Sequence, residues 1–175
     1  MQVTSFTLRY NAGMSGDKVA LVQQLAEQLL KRQQKVCTAE SCTGGLIAKT
    51  LTDLAGSSDW FERGFVTYSN AAKNEMLGVP ASIIEDYGAV SEPVATAMAR
   101  GALDHSRASL AVAVTGIAGP GGGSDEKPVG TVWIAVASDD ELIANRYQFG
   151  GNREAVRAAT LVAALEGLID LVDSD

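Results

Sequence analysis

The chain has 175 residues, 46% of them hydrophobic and 20% charged, which are proportions typical of one globular domain. Its net charge of -7 argues against a nucleic-acid-binding surface, because such a surface needs clustered Lys and Arg to neutralise phosphates. No apolar run is long enough to span a membrane, no secretory signal opens the chain, and the two cysteines lack C-x-x-C spacing. We therefore expect a cytoplasmic protein with neither a nucleic-acid nor a membrane partner.

The order of predicted elements indicates the fold class. Residues 1–14 show no helical period, and we interpret them as an irregular N-terminal arm before a single domain over 15–175. Helices are predicted over 17–34, 45–54, 70–77, 81–87, 92–106 and 153–172. Strands are predicted over 35–38, 64–68, 110–115, 129–138 and 142–149. The run at 110–115 is apolar throughout, which is typical of a strand covered on both faces, and the last two strands form an antiparallel hairpin. This order predicts an α/β fold, a three-layer α/β/α sandwich with a mixed sheet of about five strands.

A serine and a cysteine follow the first of these strands, where the next helix should begin, in the stretch T-A-E-S-C-T-G-G-L-I-A from Thr38 to Ala48. Amides at a helix start are unpaired and carry partial positive charge, so such a turn can hold an oxyanion or a phosphate. The two glycines permit positive φ and the close approach of a ligand. Three interpretations stay open. Ser41 is a nucleophile, or Cys42 is one with a thiol pKa lowered by the helix start, or Ser41 or Thr43 only caps the helix.

A nucleophilic Ser41 needs a group that takes its proton. The one histidine, His105, is predicted to lie exposed at the end of a helix, and a single histidine excludes a multi-histidine metal site. Lys73 lies one turn into the helix after G-F-V-T-Y, beyond the end of a strand expected to neighbour the first. Because parallel strands end at one edge of a sheet, Lys73 and Tyr68 are expected to reach Ser41. Burial would have to lower the pKa of Lys73 toward neutrality, and the alternative is a solvated surface charge.

A glycine-rich segment from Gly116 to Pro128 follows another predicted strand. It has neither the G-K-[ST] of a P-loop nor the Rossmann spacing before a helix. Its composition fits a flexible surface connection and a wall of amides around an anion equally well. Arg153 and Arg157 open the last helix, where the dipole disfavours cations, and this favours an external anion over a surface ion pair.

Five stretches are long and specific enough to compare with known families. They are T-A-E-S-C-T-G-G, G-S-S-D-W-F-E-R-G-F-V-T-Y-S-N-x-x-K, G-A-V-S-E-P-V, T-G-I-A-G-P-G-G-G-S-x-E-K-P-V-G-T-V-W and G-x-R-x-x-V-R. Together they resemble the CinA C-terminal domain family, over roughly residues 15 to 172. The resemblance implies hydrolysis of the carboxamide of nicotinamide mononucleotide, which gives nicotinic acid mononucleotide and ammonia in pyridine nucleotide salvage. It implies Ser41 as the nucleophile, Lys73 as its partner with Tyr68 close by, and Arg153 as a ligand contact.

We therefore expect acyl transfer through a Ser41–Lys73 dyad, with no metal ion or cofactor. The turn amides would hold the oxyanion, and the glycine-rich segment with an arginine would hold the phosphate. The expected substrate contacts are Cys42, Thr43, Gly44, Gly45, Gly116, Gly119, Arg153 and Arg157. The alternatives are a non-catalytic nucleotide-binding or partner-binding module and thiol catalysis at Cys42. We also expect a homo-oligomer, because pockets in small α/β enzymes often borrow residues from a neighbouring subunit.

Overall fold

The chain folds into six helices and six strands in a computed structural model that describes residues 4–8 and 18–174. The helices are α1 Lys18–Arg32, α2 Leu46–Thr52, α3 Asn70–Leu77, α4 Ala81–Tyr87, α5 Glu92–Asp104 and α6 Arg153–Ser174, with a 3-10 turn at Ser57–Asp59. The strands are β1 Thr4–Leu8, β2 Val36–Glu40, β3 Phe61–Val66, β4 Leu110–Gly116, β5 Thr131–Ala137 and β6 Leu142–Gln148.

The strands form one mixed sheet in the order β1-β6-β5-β4-β2-β3. Strand β2 runs parallel to β3 and β4, and β1 runs parallel to β6. Strand β5 is antiparallel to β4 and to β6, so the predicted hairpin is confirmed. The α/β class with a mixed sheet is confirmed as well.

The N-terminal arm differs from the prediction. Thr4–Leu8 are not irregular but form β1, which adds a sixth strand to the expected five or so. The strand is only five residues long, too short for a clear alternation, and its partner β6 lies more than a hundred residues away along the chain. The rest of the predicted arm, residues 1–3 and 9–14, lies outside the described residues.

Both faces of the sheet are covered, as strand β4 demonstrates. Its Leu110, Val112 and Val114 belong to the core under α1 and α6. The alternating Ala111 and Ala113 belong to the core under α5, where small side chains let a helix approach the sheet closely. All five residues are 0% exposed, so the apolar run predicts its burial correctly.

Strand β3 begins and ends earlier than predicted, and the shift positions the site. Gly64 lies inside the strand rather than at its start. The position favours glycine because a Cβ there would stand 2.9 Å from Thr38 Oγ1. The strand therefore ends at Val66, and Thr67 and Tyr68 form the connection to α3. Ser69 caps α3 by accepting a hydrogen bond from Ala72 N–H at 3.0 Å, as predicted.

Candidate active site

The serine turn lies at the end of β2, which is flanked by β3 and β4. Its first residue, Ser41, donates its backbone N–H to the carbonyl of Val114 in β4 at 3.0 Å. The carbonyl of Ser41 accepts the N–H of Gly44 at 3.2 Å, which closes the turn. Ser41 is 9% exposed, so its hydroxyl is held in a largely buried position.

Lys73 lies against this hydroxyl. Its Nζ is 3.1 Å from Ser41 Oγ and donates to the carbonyl oxygen of Thr67 at 2.9 Å. The side chain is 1% exposed, and within the described residues it forms no ion pair with a carboxylate. Desolvation by burial lowers the pKa of Lys73 from its ordinary 10.5. The arrangement therefore favours a neutral amine beside a serine hydroxyl.

A buried carboxylate occupies the start of α2, and no sequence pattern had singled it out. Glu40 Oε2 accepts the N–H groups of Gly45 at 2.9 Å and Ile47 at 3.0 Å, and Oε1 accepts that of Ala48 at 2.8 Å. Glu40 is 0% exposed. The predicted oxyanion contact from Gly45 N–H is thus wrong, because that group already donates to the carboxylate.

The oxyanion contact expected from Gly44 is likewise wrong, since its N–H is bonded inside the turn. The N–H groups of Cys42 and Thr43 donate no hydrogen bond to any other described residue. Burial raises the pKa of the Cys42 thiol to about 12, with the charge of Glu40 adding to the effect. The expectation that the helix start lowers this pKa is therefore wrong: the carboxylate takes the amides, and the thiol is 6% exposed in the core.

A cavity of about 230 Å³ opens beside the lysine and the serine. Its walls include six of the residues predicted from sequence or belonging to a predicted segment: Ser41, Cys42, Tyr68, Lys73, Gly116 and Arg153. Arg153 donates from one terminal nitrogen to the carbonyl of Gly119 at 3.0 Å and from the other to Tyr68 Oη at 2.9 Å. The guanidinium therefore joins the glycine-rich segment to the tyrosine at the cavity wall.

Other predicted residues stand outside the cavity lining. Arg157 does not line the cavity, and it donates to the carbonyl of Thr43 at 2.7 Å, so it stabilises the serine turn. Gly119 does not line the cavity, but its carbonyl accepts the hydrogen bond from Arg153. His105 is exposed at the end of α5, as predicted, and its Nδ1 lies 2.8 Å from the carbonyl of Gly101.

Sequence reasoning gave no role to five further residues of the lining, namely Asn70, Ala89, Val90, Thr115 and Ala118. All five lie within the motifs that carry the family resemblance, but most are small or apolar residues whose types indicate no chemical role. Thr115 Oγ1 donates to the carbonyl of Ala89 at 2.8 Å, which fixes the segment between α4 and α5 against β4. Their position within these motifs was the signal that could have found them.

Comparison with known proteins gives the family. A model of the CinA C-terminal domain matches residues 18–172. The chain belongs to the CinA C-terminal domain family. It is 54% identical over 151 residues to a Pseudomonas putida protein named nicotinamide-nucleotide amidohydrolase PncC, covering 86% of this chain and 94% of that one. An Escherichia coli K12 protein of the same name is 56% identical over 149 residues, covering 85% and 90%. These names indicate an amidohydrolase.

Solved structures agree with this assignment. The crystal structure of competence/damage inducible protein CihA from Agrobacterium tumefaciens matches with a TM-score of 0.88 at 48% identity, covering 92% of this chain and 99% of that one. A CinA superfamily protein from Klebsiella pneumoniae also matches with a TM-score of 0.88, at 35% identity, covering 91% and 100%. None of the helices in the described residues combines the length and the hydropathy that a membrane span requires.

Proposed function

We propose that this CinA-family protein hydrolyses the carboxamide of nicotinamide mononucleotide, with water as co-substrate and nicotinic acid mononucleotide and ammonia as products. The reaction belongs to pyridine nucleotide salvage. The observation that carries the proposal is the buried amine of Lys73, 3.1 Å from Ser41 Oγ and without a carboxylate partner among the described residues. The names of the Pseudomonas and Escherichia relatives support the substrate.

Lys73 acts first as a general base. A neutral amine has one lone pair and two N–H groups, so it can accept the Ser41 proton while still donating to the Thr67 carbonyl. Ser41 Oγ then attacks the amide carbon, and the protonated Lys73 returns the proton to the departing ammonia. Water cleaves the resulting ester in the second half of the reaction, with Lys73 again as base. The lowered pKa of Lys73 supports this role, because a base with a pKa of 10.5 would be protonated at neutral pH.

The oxyanion formed in each half needs donors that are not already used. The N–H groups of Cys42 and Thr43 meet this condition, whereas those of Gly44 and Gly45 do not. We assign the phosphate to Arg153, which lines the cavity. Its two hydrogen bonds leave three of its five N–H groups for a ligand. Gly116 and Gly119 would form the wall beside the phosphate, and Tyr68 would orient the arginine.

The test measures ammonia release and substrate binding in parallel. The wild-type protein is expected to release one ammonia per mononucleotide, and Ser41→Ala should bind the mononucleotide with similar affinity while releasing none. Lys73→Met should bind it and lose at least about a hundredfold in kcat, because proton transfer typically contributes that much. Lys49→Met is the matched control: its ammonium pairs with Asp53 on the surface, and kcat should not change.

Two other functions are separated by the same experiment. Binding without turnover in the wild type would favour a non-catalytic nucleotide-binding module. Full activity in Ser41→Ala together with its loss in Cys42→Ala would favour thiol catalysis, which the raised pKa of Cys42 argues against. A homo-oligomer remains our expectation for the assembly, and light scattering of the purified protein measures it.

A further inference from the structure

Glu40 stands immediately before the proposed nucleophile and reaches forward across the turn. Its two carboxylate oxygens accept three backbone N–H groups five, seven and eight residues ahead, at 2.8 to 3.0 Å. The residue at the helix N-cap, Gly45, has φ of 93° and makes no side-chain cap. The carboxylate therefore supplies the cap that a Ser, Thr, Asp or Asn would normally provide from the N-cap position.

These contacts tie both ends of the turn to fixed structure. At its start, Ser41 N–H is bonded to Val114 in β4. At its end, the Glu40 carboxylate holds the first amides of α2, and between the two ends Arg157 holds the carbonyl of Thr43. Within this turn, the N–H groups of Cys42 and Thr43 donate to no other described residue.

The carboxylate also determines which anion α2 can receive. A helix start with free amides attracts phosphate or oxyanion, but here a fully buried negative charge already occupies them. A second anion placed there would meet an unscreened like charge. The substrate's charge is therefore expected to be held elsewhere, which agrees with Arg153 in the cavity lining.

We propose that Glu40 is a positioning residue for the amidase reaction: by capping α2 it holds the Ser41 hydroxyl and the N–H groups of Cys42 and Thr43 in the geometry of attack. The inference rests on the proposed function for its reaction, but it also predicts the intrinsic reactivity of Ser41. Its effect belongs to the transition state, in which the oxyanion forms, and so it should appear in kcat more than in KM.

Glu40→Gln tests this with a side chain of nearly the same shape. The amide nitrogen replaces one acceptor oxygen and turns a donor toward a backbone N–H, so one or two of the three hydrogen bonds are lost. We expect kcat for ammonia release to fall by tenfold or more, as when an oxyanion contact is weakened, while KM stays within about twofold. The control is Lys49→Gly, which lowers the helix propensity of α2 at an exposed position whose N–H does not bind the Glu40 carboxylate, and which should leave kcat within about twofold.

A second readout does not depend on the mononucleotide. Phenylmethanesulfonyl fluoride sulfonylates an activated serine, and intact-protein mass spectrometry follows the rate at Ser41. We expect the rate in Glu40→Gln to fall at least about tenfold below wild type, with Lys49→Gly near the wild-type value. If wild-type Ser41 is labelled and Glu40→Gln slows the labelling while no ammonia is released from the mononucleotide, the proposed substrate is wrong and the positioning role stands.

Several results would overturn the role of Glu40. One is a wild-type kcat in Glu40→Gln. Another is an equal loss of activity in Lys49→Gly when that variant loses as much thermal stability as Glu40→Gln. A third is wild-type Ser41 that the sulfonyl fluoride does not label. Should Glu40→Gln fail to fold, Glu40→Asp replaces it. That variant keeps the charge but is one methylene too short for all three amides, and the same fall in kcat is expected, whereas a wild-type kcat contradicts the role.

Discussion

Replacing Lys73 by methionine should change how the stability of the protein depends on pH. In the unfolded chain Lys73 carries a proton below pH 10.5, whereas in the fold burial lowers its pKa. Between the folded pKa and 10.5, folding must therefore release a proton, and this release becomes easier as the pH rises. The wild type should gain stability over this interval, and Lys73→Met, which has no group to titrate, should not.

The expected size follows from linkage. One proton released on folding changes the free energy of unfolding by about 1.4 kcal/mol per pH unit. The free energy of unfolding of the wild type minus that of Lys73→Met should therefore increase with pH at this slope inside the interval. Below and above the interval this difference should be constant. The hydrogen bonds of Nζ to Ser41 and Thr67 add a constant offset that does not alter the slope.

Urea unfolding at intervals of one pH unit from about pH 7 to about pH 10 measures this difference, with the fluorescence of the buried Trp60 as one signal of unfolding. Lys49→Met serves as the control, because Lys49 is exposed and pairs with Asp53 only at the surface. The difference in free energy of unfolding between Lys49→Met and the wild type should stay constant with pH within about 0.5 kcal/mol. If the Lys73→Met and wild-type curves run parallel over the whole range, Lys73 keeps its ordinary pKa and cannot be the neutral base.

Three further results are expected. Gly101→Ala should lower the free energy of unfolding by about 3 kcal/mol in urea titrations, because a Cβ would stand 2.0 Å from the carbonyl oxygen of Leu77. In the control Gly167→Ala the new Cβ would stand 3.3 Å from its nearest neighbour, and the free energy of unfolding should change by less than about 1 kcal/mol. Equal losses in the two variants would refute the packing argument. Ser69→Ala should lower the free energy of unfolding by about 1 kcal/mol in the same titration, because the α3 cap is lost. An unchanged free energy of unfolding would mean that the cap does not stabilise the protein. Iodoacetamide at neutral pH should leave Cys42 unlabelled in the native protein and should label it in denaturant, as measured by mass spectrometry. Fast labelling of Cys42 in the native protein would contradict its raised pKa.

The sequence predicts those parts of the fold and site that depend on local signals. Helix α3 begins and ends where the Ser69 cap and the glycine after Leu77 predict, and so Lys73 falls one turn into it. The ends of parallel strands meet at one edge of a sheet, and this rule made a contact between Lys73 and Ser41 possible without deciding it against a solvated lysine. The apolar run of β4 likewise predicts its burial.

Features that depend on distant partners were not predictable. Strand β1 exists only through its pairing with β6 at the other end of the chain. Glu40 caps a helix from outside the usual N-cap position, so no capping pattern marks it. Burial of the Cys42 thiol, with the charge of Glu40 adding to it, reverses the expected pKa shift of this residue, because burial depends on packing rather than on position along the helix.

The central claim is that Ser41 Oγ attacks the amide carbon of the substrate, and trapping the covalent intermediate tests it most directly. Wild-type protein is mixed with nicotinamide mononucleotide, quenched in acid within the first turnover, digested and analysed by peptide mass spectrometry. We predict that the acyl group is found on the peptide that contains Ser41, that fragmentation places it on that serine, and that it is absent from Ser41→Ala. An acyl group on Cys42, or ammonia release by Ser41→Ala at the wild-type rate, would contradict the account.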